Sequence, residues 1–371
     1  MIVDAIIGAN YGDEGKGTIT ARLTSKSTKV LNVLTNGGAQ RGHSVTLPNG
    51  TQTIFKHFGS GTLFGSTTFC DKDFIINPMQ FVKECEELGY SSIVYFHPDC
   101  KFTTPFDMIV NQILENKAGF GSCGMGIWET VLRYHTDPTF TTFSTFCRLS
   151  HIEKIDELKK VKKYFEIRLN NLGLELKGEW KDIWNREGLI THFVQDVNGL
   201  SQMKCTTNPL KQEQFDRVIL ENGQGLLLND TGKDDKDTTP SQTGSNAILQ
   251  SITRLGLKDN VTLHYITRPY ITRHGAKGRD FLGKTKLESI GIDFTHNWEI
   301  NKEGSLQGAL EYGLLDIEAL KKRIDTDSHN PKTFCNAKVV LEVTHNDQMQ
   351  REKEFKKYFE NINFYDNPFV R

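Results

Sequence analysis

Gly8-Ala9-Asn10-Tyr11-Gly12-Asp13-Glu14-Gly15-Lys16-Gly17 follows directly on the apolar run Ile2, Val3, Ala5, Ile6 and Ile7. That run has the length and branching of a buried strand, and a strand emptying into a glycine-rich turn predicts a phosphate cradle. Residues without a Cβ let backbone N–H groups converge on phosphate oxygens. The following helix, expected from about Lys16 to Thr24, adds the partial positive charge of its N-terminus, and Lys16 adds a full one. The P-loop pattern G-x-x-x-x-G-K-[ST] is met only in part. Asn10 stands at its first glycine, and Gly17 replaces the hydroxyl residue that holds magnesium. Asp13 supplies a carboxylate that can take over that ligand duty. The plainer alternative is a tight strand-to-helix turn with no ligand. Four glycines, two acids and a lysine within ten residues weigh against it.

Outward from this turn, 371 residues with 37% hydrophobic and 25% charged content describe a globular protein. That length holds one large α/β domain or two ordinary ones. A net charge of -1 gives no electrostatic reason to expect nucleic acid or an anionic membrane as partner. No apolar run approaches the ~20 residues of a membrane span and no basic leader precedes the first strand, so the expected location is the cytoplasm. Seven cysteines without a C-x-x-C pair read as reduced thiols, neither a zinc site nor a disulfide framework.

Val30 to Leu34 reads as a second strand, and it runs into Asn36-Gly37-Gly38-Ala39-Gln40-Arg41-Gly42-His43. A second glycine-rich turn at the same sheet edge marks the place where open α/β sheets bind ligands. His43, behind Gly42, can reach a phosphate held by the first loop as a donor or as a general acid. By itself a lone histidine is more often structural.

These two runs, followed by Lys56-His57-Phe58-Gly59-Ser60-Gly61, resemble the N-terminal signature of adenylosuccinate synthetases. Those ligases join aspartate to the 6-position of a purine nucleotide at the expense of a nucleoside triphosphate. The resemblance can be followed in patches to Asp347. It implies an α/β fold with a mostly parallel central sheet, P-loop-like glycine-rich turns at its C-terminal edge, and a single domain over 1–371. It further implies Asp13 as catalytic base and Mg2+ ligand, Gly42 as a Mg2+ ligand through its carbonyl, His43 as catalytic acid, and Lys16 as a charge on the phosphates. Triphosphate contacts are expected from Gly12, Asp13, Glu14, Gly15, Lys16, Gly17, Gly42, His43, Thr344 and Asp347.

Acceptor-nucleotide contacts are expected from Asn36, Gly37, Ser122, Cys123, Gln224, Thr243 and Gly275. Gly119 to Ile127 resembles the family's phosphate segment, with Cys123 where a hydroxyl is usual. Glu221-Asn222-Gly223-Gln224-Gly225 resembles the turn whose glutamine reads the base, and Thr239 to Asn246 the run whose threonine holds phosphate. Arg133 matches an arginine that reaches across a homodimer interface to the partner's nucleotide. Its plainer reading is a solvated helix arginine. Residues 151–210, rich in lysine, glutamate and spaced apolar positions, read as a helical excursion.

The amino-donor loop is expected from Arg273, Asn297, Gln307 and Glu311. Gln307 to Asp316 looks like the short archaeal and viral branch, yet Glu311 stands where an arginine grips aspartate. The terminal turn that closes on guanine is not recognisable in Phe364 to Pro368, which leaves GTP, ATP and dATP open as the triphosphate. The acceptor is expected to be IMP, with GMP or dGMP the alternative, giving 2-aminoadenylosuccinate for viral 2-aminoadenine synthesis in a host cytoplasm. A different amine donor and a catalytically inactive nucleotide-binding protein are further alternatives.

Overall fold

Strand-length apolar runs alternate with amphipathic stretches, and the chain pairs the runs side by side with the helices between them. The structure is a computed structural model, and it describes residues 1–89, 93–119, 121–200, 202–230, 238–257, 260–274, 306, 308, 310–367 and 369–370. The first part runs β1 (Ile2–Gly8), α1 (Lys16–Thr24), β2 (Val30–Leu34), β3 (His43–Thr46), β4 (Gln52–Phe55), β5 (Thr67–Cys70), α2 (Pro78–Leu88) and β6 (Val94–Phe96). Next come α3 (Pro105–Ala118), α4 (Ile127–Thr136), α5 (Phe143–Arg148), α6 (His151–Asn171), α7 (Gly178–Trp184), α8 (Gly188–Gly199) and β7 (Met203–Cys205). The last part holds β8 (Arg217–Gly225), α9 (Ser245–Leu255), β9 (Val261–Thr267), β10 (Tyr270–Arg273), β11 (Glu311–Leu314), α10 (Ile317–Cys335), β12 (Lys338–Val343), α11 (Glu352–Phe355) and β13 (Ile362–Phe364).

Nine strands form one sheet in the order β13-β12-β9-β1-β8-β2-β5-β6-β7, with parallel pairings throughout. This is the α/β, mostly parallel sheet expected from the sequence. β8 lies between β1 and β2, so the loops leaving all three open at the same edge, a strand-order break of the kind that receives ligands. Two small antiparallel pairs, β3-β4 and β10-β11, sit outside the large sheet.

Alternation along the strands divides the core. Val3, Ala5 and Ile7 of β1 pack with Leu31, Val218, Leu263 and with Ile248, Ile252, Leu320 and Ile324 of α9 and α10. Ile6 faces the other way, against Ile19 and Leu23 of α1, with Ile219 and Ile266. Helix starts follow local chemistry: Asn77 accepts from the Gln80 N–H ahead of Pro78, and Thr104 and Ser150 form capping boxes with Asp107 and Glu153. The 151–210 stretch holds α6, α7 and α8, but it also contributes β7 at the sheet edge, three residues too short to show a period. Phe74 to Ile76 makes only isolated bridges, from Phe74 to Gly37 and from Ile76 to Phe102. All seven cysteines are free, and among the described residues no helix is long and apolar enough to cross a membrane.

The α1 face of the sheet carries a buried polar cluster. His264 lies 2.6 Å from Glu342 Oε1 and 3.0 Å from Asp4 Oδ1, and Arg217 lies 3.2 Å from Asp4 Oδ2. Burial disfavours the imidazolium, but hydrogen bonds to Asp4 and Glu342 outweigh it and raise the His264 pKa to about 9. A folded-state pKa raised above the unfolded value stabilises the fold fully below about pH 6.5, and that contribution is lost as pH rises through about 9. We expect denaturant unfolding of the wild type to lose about 3 kcal/mol between these limits. The His264→Gln protein should lack this component, and an identical pH slope in both proteins would refute the assignment.

Candidate active site

The first loop is shaped by close backbone approaches. Gly12, Asp13 and Gly15 have φ of 109°, 58° and 93°, so the turn passes through the left-handed region three times before α1 begins. Inside it the Asn10 N–H donates to Glu14 Oε1, and Lys16 Nζ lies 3.6 Å from Glu14 Oε2. Burial pushes the Glu14 carboxyl up, with Lys16 opposing. Neighbours pin the loop from outside. Thr344 Oγ1 donates to Glu14 O at 2.6 Å, Thr272 Oγ1 to Gly12 O at 3.0 Å, and Arg323 of α10 to Ala9 O and Asn10 Oδ1, both at 2.8 Å. Asn10, at the P-loop's first glycine, is thereby a bracket between β1 and α10.

Gly17 has a packing reason. A Cβ there would sit 2.5 Å from Ser44 O and 3.0 Å from the His43 carbonyl carbon. The second loop therefore lies directly on the first turn of α1, and the missing hydroxyl is the condition for that contact. It brings His43 near enough to Lys16 for the ammonium to act on the imidazole.

His43 is buried, with both ring nitrogens facing acceptors: Nδ1 lies 2.6 Å from Glu221 Oε1, and Nε2 lies 3.0 Å from Gly223 O. Arg41 NH2 reaches both His43 Nδ1 and Glu221 Oε1 at 2.8 Å. Ser60 gives Glu221 both its hydroxyl and its N–H, and Asn32 Nδ2 donates to Glu221 Oε2 at 3.2 Å. Burial opposes ionisation of Glu221, but Arg41, His43 and Ser60 outweigh it and hold the carboxyl at about 2. Burial first, then Arg41, depresses His43 to about 4 against the pull of Glu221, so the imidazole is neutral at pH 7. The run Lys56 to Gly61 is a brace: Glu84 accepts from the Lys56 and His57 N–H groups at 2.8 and 2.7 Å, and Ser60 positions Glu221.

The remaining expected residues are placed as follows. Asp13 and Asp347 are half-buried, Gly42 is exposed, and Thr344 joins the loop after β12 to the first loop. Asn36 is held inside the protein, its Nδ2 donating to Ser241 Oγ and Gln242 O and its Oδ1 accepting from Gly223 N. Thr243 donates its hydroxyl to Gly225 O at 2.9 Å and its N–H to Asn229 Oδ1 at 2.8 Å. Ser122 Oγ accepts from Asn111 Nδ2 at 3.2 Å, its N–H donates to Glu115 Oε2 at 3.0 Å, and burial pushes the neighbouring Cys123 thiol up. Arg273 stacks 4.4 Å over the Tyr11 ring, and the β10-β11 register sets it opposite Glu311. Gly275, Asn297 and Gln307 lie outside the described residues.

Arg133 corrects the sequence reading. Its guanidinium is wholly buried, 3.0 Å from Asp107 Oδ1 and 2.9 Å from Phe102 O, and sandwiched near Tyr134 and Phe140. It is neither a solvated helix arginine nor a surface group turned towards a partner; it ties α4 to the start of α3. Sequence reasoning also missed Arg41, Gln40 and Arg323. The first two sit inside a quoted motif, whereas Arg323 reaches the first loop from over three hundred residues away, with no local signal.

The family model for adenylosuccinate synthetase matches residues 5–360. The chain belongs to the adenylosuccinate synthetase family. This is a family of carbon–nitrogen ligases that use a nucleoside triphosphate. The adenylosuccinate synthetase of Psychrobacter arcticus is 25% identical over 343 residues, 87% of this chain and 74% of that protein. That of Histophilus somni is 24% identical over 362 residues, 92% of this chain and 77% of the other. That of Borrelia turicatae is 31% identical over 127 residues, and the match spans only 33% of this chain and 29% of that relative. Among solved structures, the fully ligated enzyme of Plasmodium falciparum aligns with a TM-score of 0.62 at 17% identity, covering 93% of this chain and 77% of that one. The succinoaminodeoxyadenylate synthetase of cyanophage S-2L, bound to dGMP and dATP, aligns with a TM-score of 0.64 at 12% identity, covering 100% and 93%. At these identities the structures speak for a shared fold.

The packing of Gly17 generates a test. Gly17→Ser restores the P-loop hydroxyl, and we expect it to lower unfolding free energy by about 1–3 kcal/mol through overpacking and to reduce turnover. A protein of unchanged stability and higher activity would show that the contact with Ser44 is not the reason for the glycine.

Proposed function

We propose that this chain phosphorylates the 6-oxygen of a 6-oxopurine monophosphate with a nucleoside triphosphate and then displaces the phosphate with the amine of aspartate. The observation that carries the reading is the seating of the His43 loop on the glycine that follows Lys16. It brings the His43 imidazole within electrostatic reach of the Lys16 ammonium beside the glycine-rich loop, which supports a phosphate-binding role for the three together. Asp13, in a left-handed turn beside Gly12, is the base for the N1 proton, which makes the 6-oxygen nucleophilic. Lys16 and His43 hold the γ-phosphoryl charge as it transfers. Phosphorylation is needed because an amide-like oxygen is a poor leaving group and phosphate a good one.

The family generally uses Mg2+. The donors here suit it: Asp13 and the Gly42 carbonyl are oxygen ligands, and a Cβ on Gly12 beside Asp13 would meet nothing within 4 Å. Asp13 and Gly42 would hold the ion, which when bound neutralises phosphate charge. Among the described residues no group of three His, Cys, Asp or Glu side chains that could hold a metal is found.

IMP is the proposed acceptor. The second reading takes GMP or dGMP, with ATP or dATP as energy donor. It is supported by the extent of the match to the cyanophage enzyme, 93% of its length, and by that protein's bound dGMP and dATP. For aspartate, the cross-strand position of Glu311 opposite Arg273 gives the acid a cationic neighbour, so the substitution need not repel the donor's carboxylates. A homodimer remains part of the proposal on family grounds, without Arg133 as its argument.

Purified protein offered IMP, GMP and dGMP against GTP, ATP and dATP should release phosphate in an acceptor- and aspartate-dependent manner. Asp13→Ala and His43→Ala should each lower that rate by about 10²-fold or more while retaining nucleotide binding. Acceptor-independent or absent phosphate release from a protein that binds nucleotides would favour the inactive binder.

A further inference from the structure

We propose that α10 is a crossbar that holds the first glycine-rich loop and the loop entering α9 at one fixed spacing, with Arg323 and Asp327 as its positioning pair; this rests on the functional reading above. The two side chains are four residues apart, so they leave the same face of the helix one turn from each other. Arg323 Nη1 reaches the first loop, at Ala9 O and Asn10 Oδ1, both 2.8 Å away. Asp327 reaches the start of α9, where both carboxylate oxygens accept from the Ser245 N–H at 3.1 Å. One helix face thus grips the loop expected to hold the triphosphate and the stretch beside Thr243, expected to contact the acceptor.

Local sequence makes the Asp327 end of this bar. Gly244 is the N-cap of α9 and has no side chain with which to cap it, so the helix takes its cap from Asp327, an acid at the positive end of the helix dipole. A Cβ on Gly244 would lie 2.3 Å from Asp327 Oδ1, so the carboxylate enters only over a glycine. Pro331 lies inside α10 and has no N–H to give the carbonyl four residues back. That carbonyl is Asp327 O, and it accepts instead from Ser245 Oγ at 2.6 Å. Tyr265 Oη completes the clamp, donating to Asp327 Oδ2 at 2.7 Å.

Two further bonds close a ring. The Leu227 N–H donates to Asn10 O at 3.0 Å, and Thr243 Oγ1 donates to Gly225 O at 2.9 Å. A path therefore runs from Asn10 through the end of β8 to Thr243 and Ser245, and back along α10 to Asn10. In a closed path of this kind neither loop shifts without straining the other. Transfer between two bound nucleotides needs that constraint, because a misplacement of about 1 Å can cost about 10²-fold in rate. Arg323 acts on turnover through Ala9 and Asn10, as a positioning residue.

Amide hydrogen exchange and steady-state kinetics, compared for wild type, Arg323→Met, Arg323→Gln and Arg323→Lys, separate this role from a merely structural one. The first two variants remove the charge, and Arg323→Gln keeps a polar group in case Arg323→Met does not fold. Both bonds of the wild-type side chain leave a single nitrogen, so the ammonium of Arg323→Lys can remake them. For the uncharged variants we expect exchange about tenfold faster in 9–16 and in 243–247 together, and kcat about tenfold lower with KM for both nucleotides unchanged. Arg323→Lys should behave as wild type. Faster exchange confined to 9–16, an unchanged kcat, a rise in KM in place of the fall in kcat, or an Arg323→Lys protein as impaired as Arg323→Gln would overturn the proposal. Exchange is read without substrate, so coupled exchange in a protein that lacks ligase activity would count against the proposed function alone.

Discussion

One buried carboxylate organises the catalytic side of this molecule. Glu221 stands at the point where β8 meets the loop after β2, fully buried, and receives Arg41, His43, Ser60 and Asn32 together. A carboxylate buried alone would be protonated or expelled; this one stays ionised because the desolvation cost is offset by a guanidinium and several donors. The consequence is geometric. Removing any one partner leaves charge without compensation, so four segments are obliged to keep a common arrangement, and the imidazole of His43 is held in one orientation within it. Such a network specifies the site more than it stabilises the fold.

The first loop is governed by a complementary constraint, close backbone packing. Gly17 under Ser44, Gly225 beneath Asn10 and Gly15 against Thr344 each leave no room for a Cβ without displacing a neighbour. Three strands therefore deliver their ends to one place: β1 its glycine turn, β8 the stretch that carries Gln224, and β12 the threonine that donates to Glu14 O. The parallel order β12-β9-β1-β8-β2 makes this possible, since every one of these loops leaves the same sheet edge.

Much of this was legible in the chain. The apolar run before Gly8 and the spacing of the glycine turns pointed to the parallel sheet and to the edge where those turns gather, because strand composition and missing side chains are local signals. The helix start at Lys16 was similarly local. What the sequence hid was long-range. Arg133 reads like any helix arginine until Asp107 and Phe102 are folded onto it, and Arg323 gives no sign of its bond to Asn10. Asn36 and Gln40 are both amides of one motif, and only the fold shows that the first is satisfied and the second is not.

The central claim is that the 6-oxygen of the acceptor attacks the triphosphate before the amine arrives. Acceptor nucleotide carrying 18O at the 6-position, turned over with triphosphate, Mg2+ and aspartate, tests it by mass analysis of the released phosphate. The account predicts one 18O atom in each phosphate formed. Unlabelled phosphate, with the label retained in the nucleotide or lost to water, would contradict it.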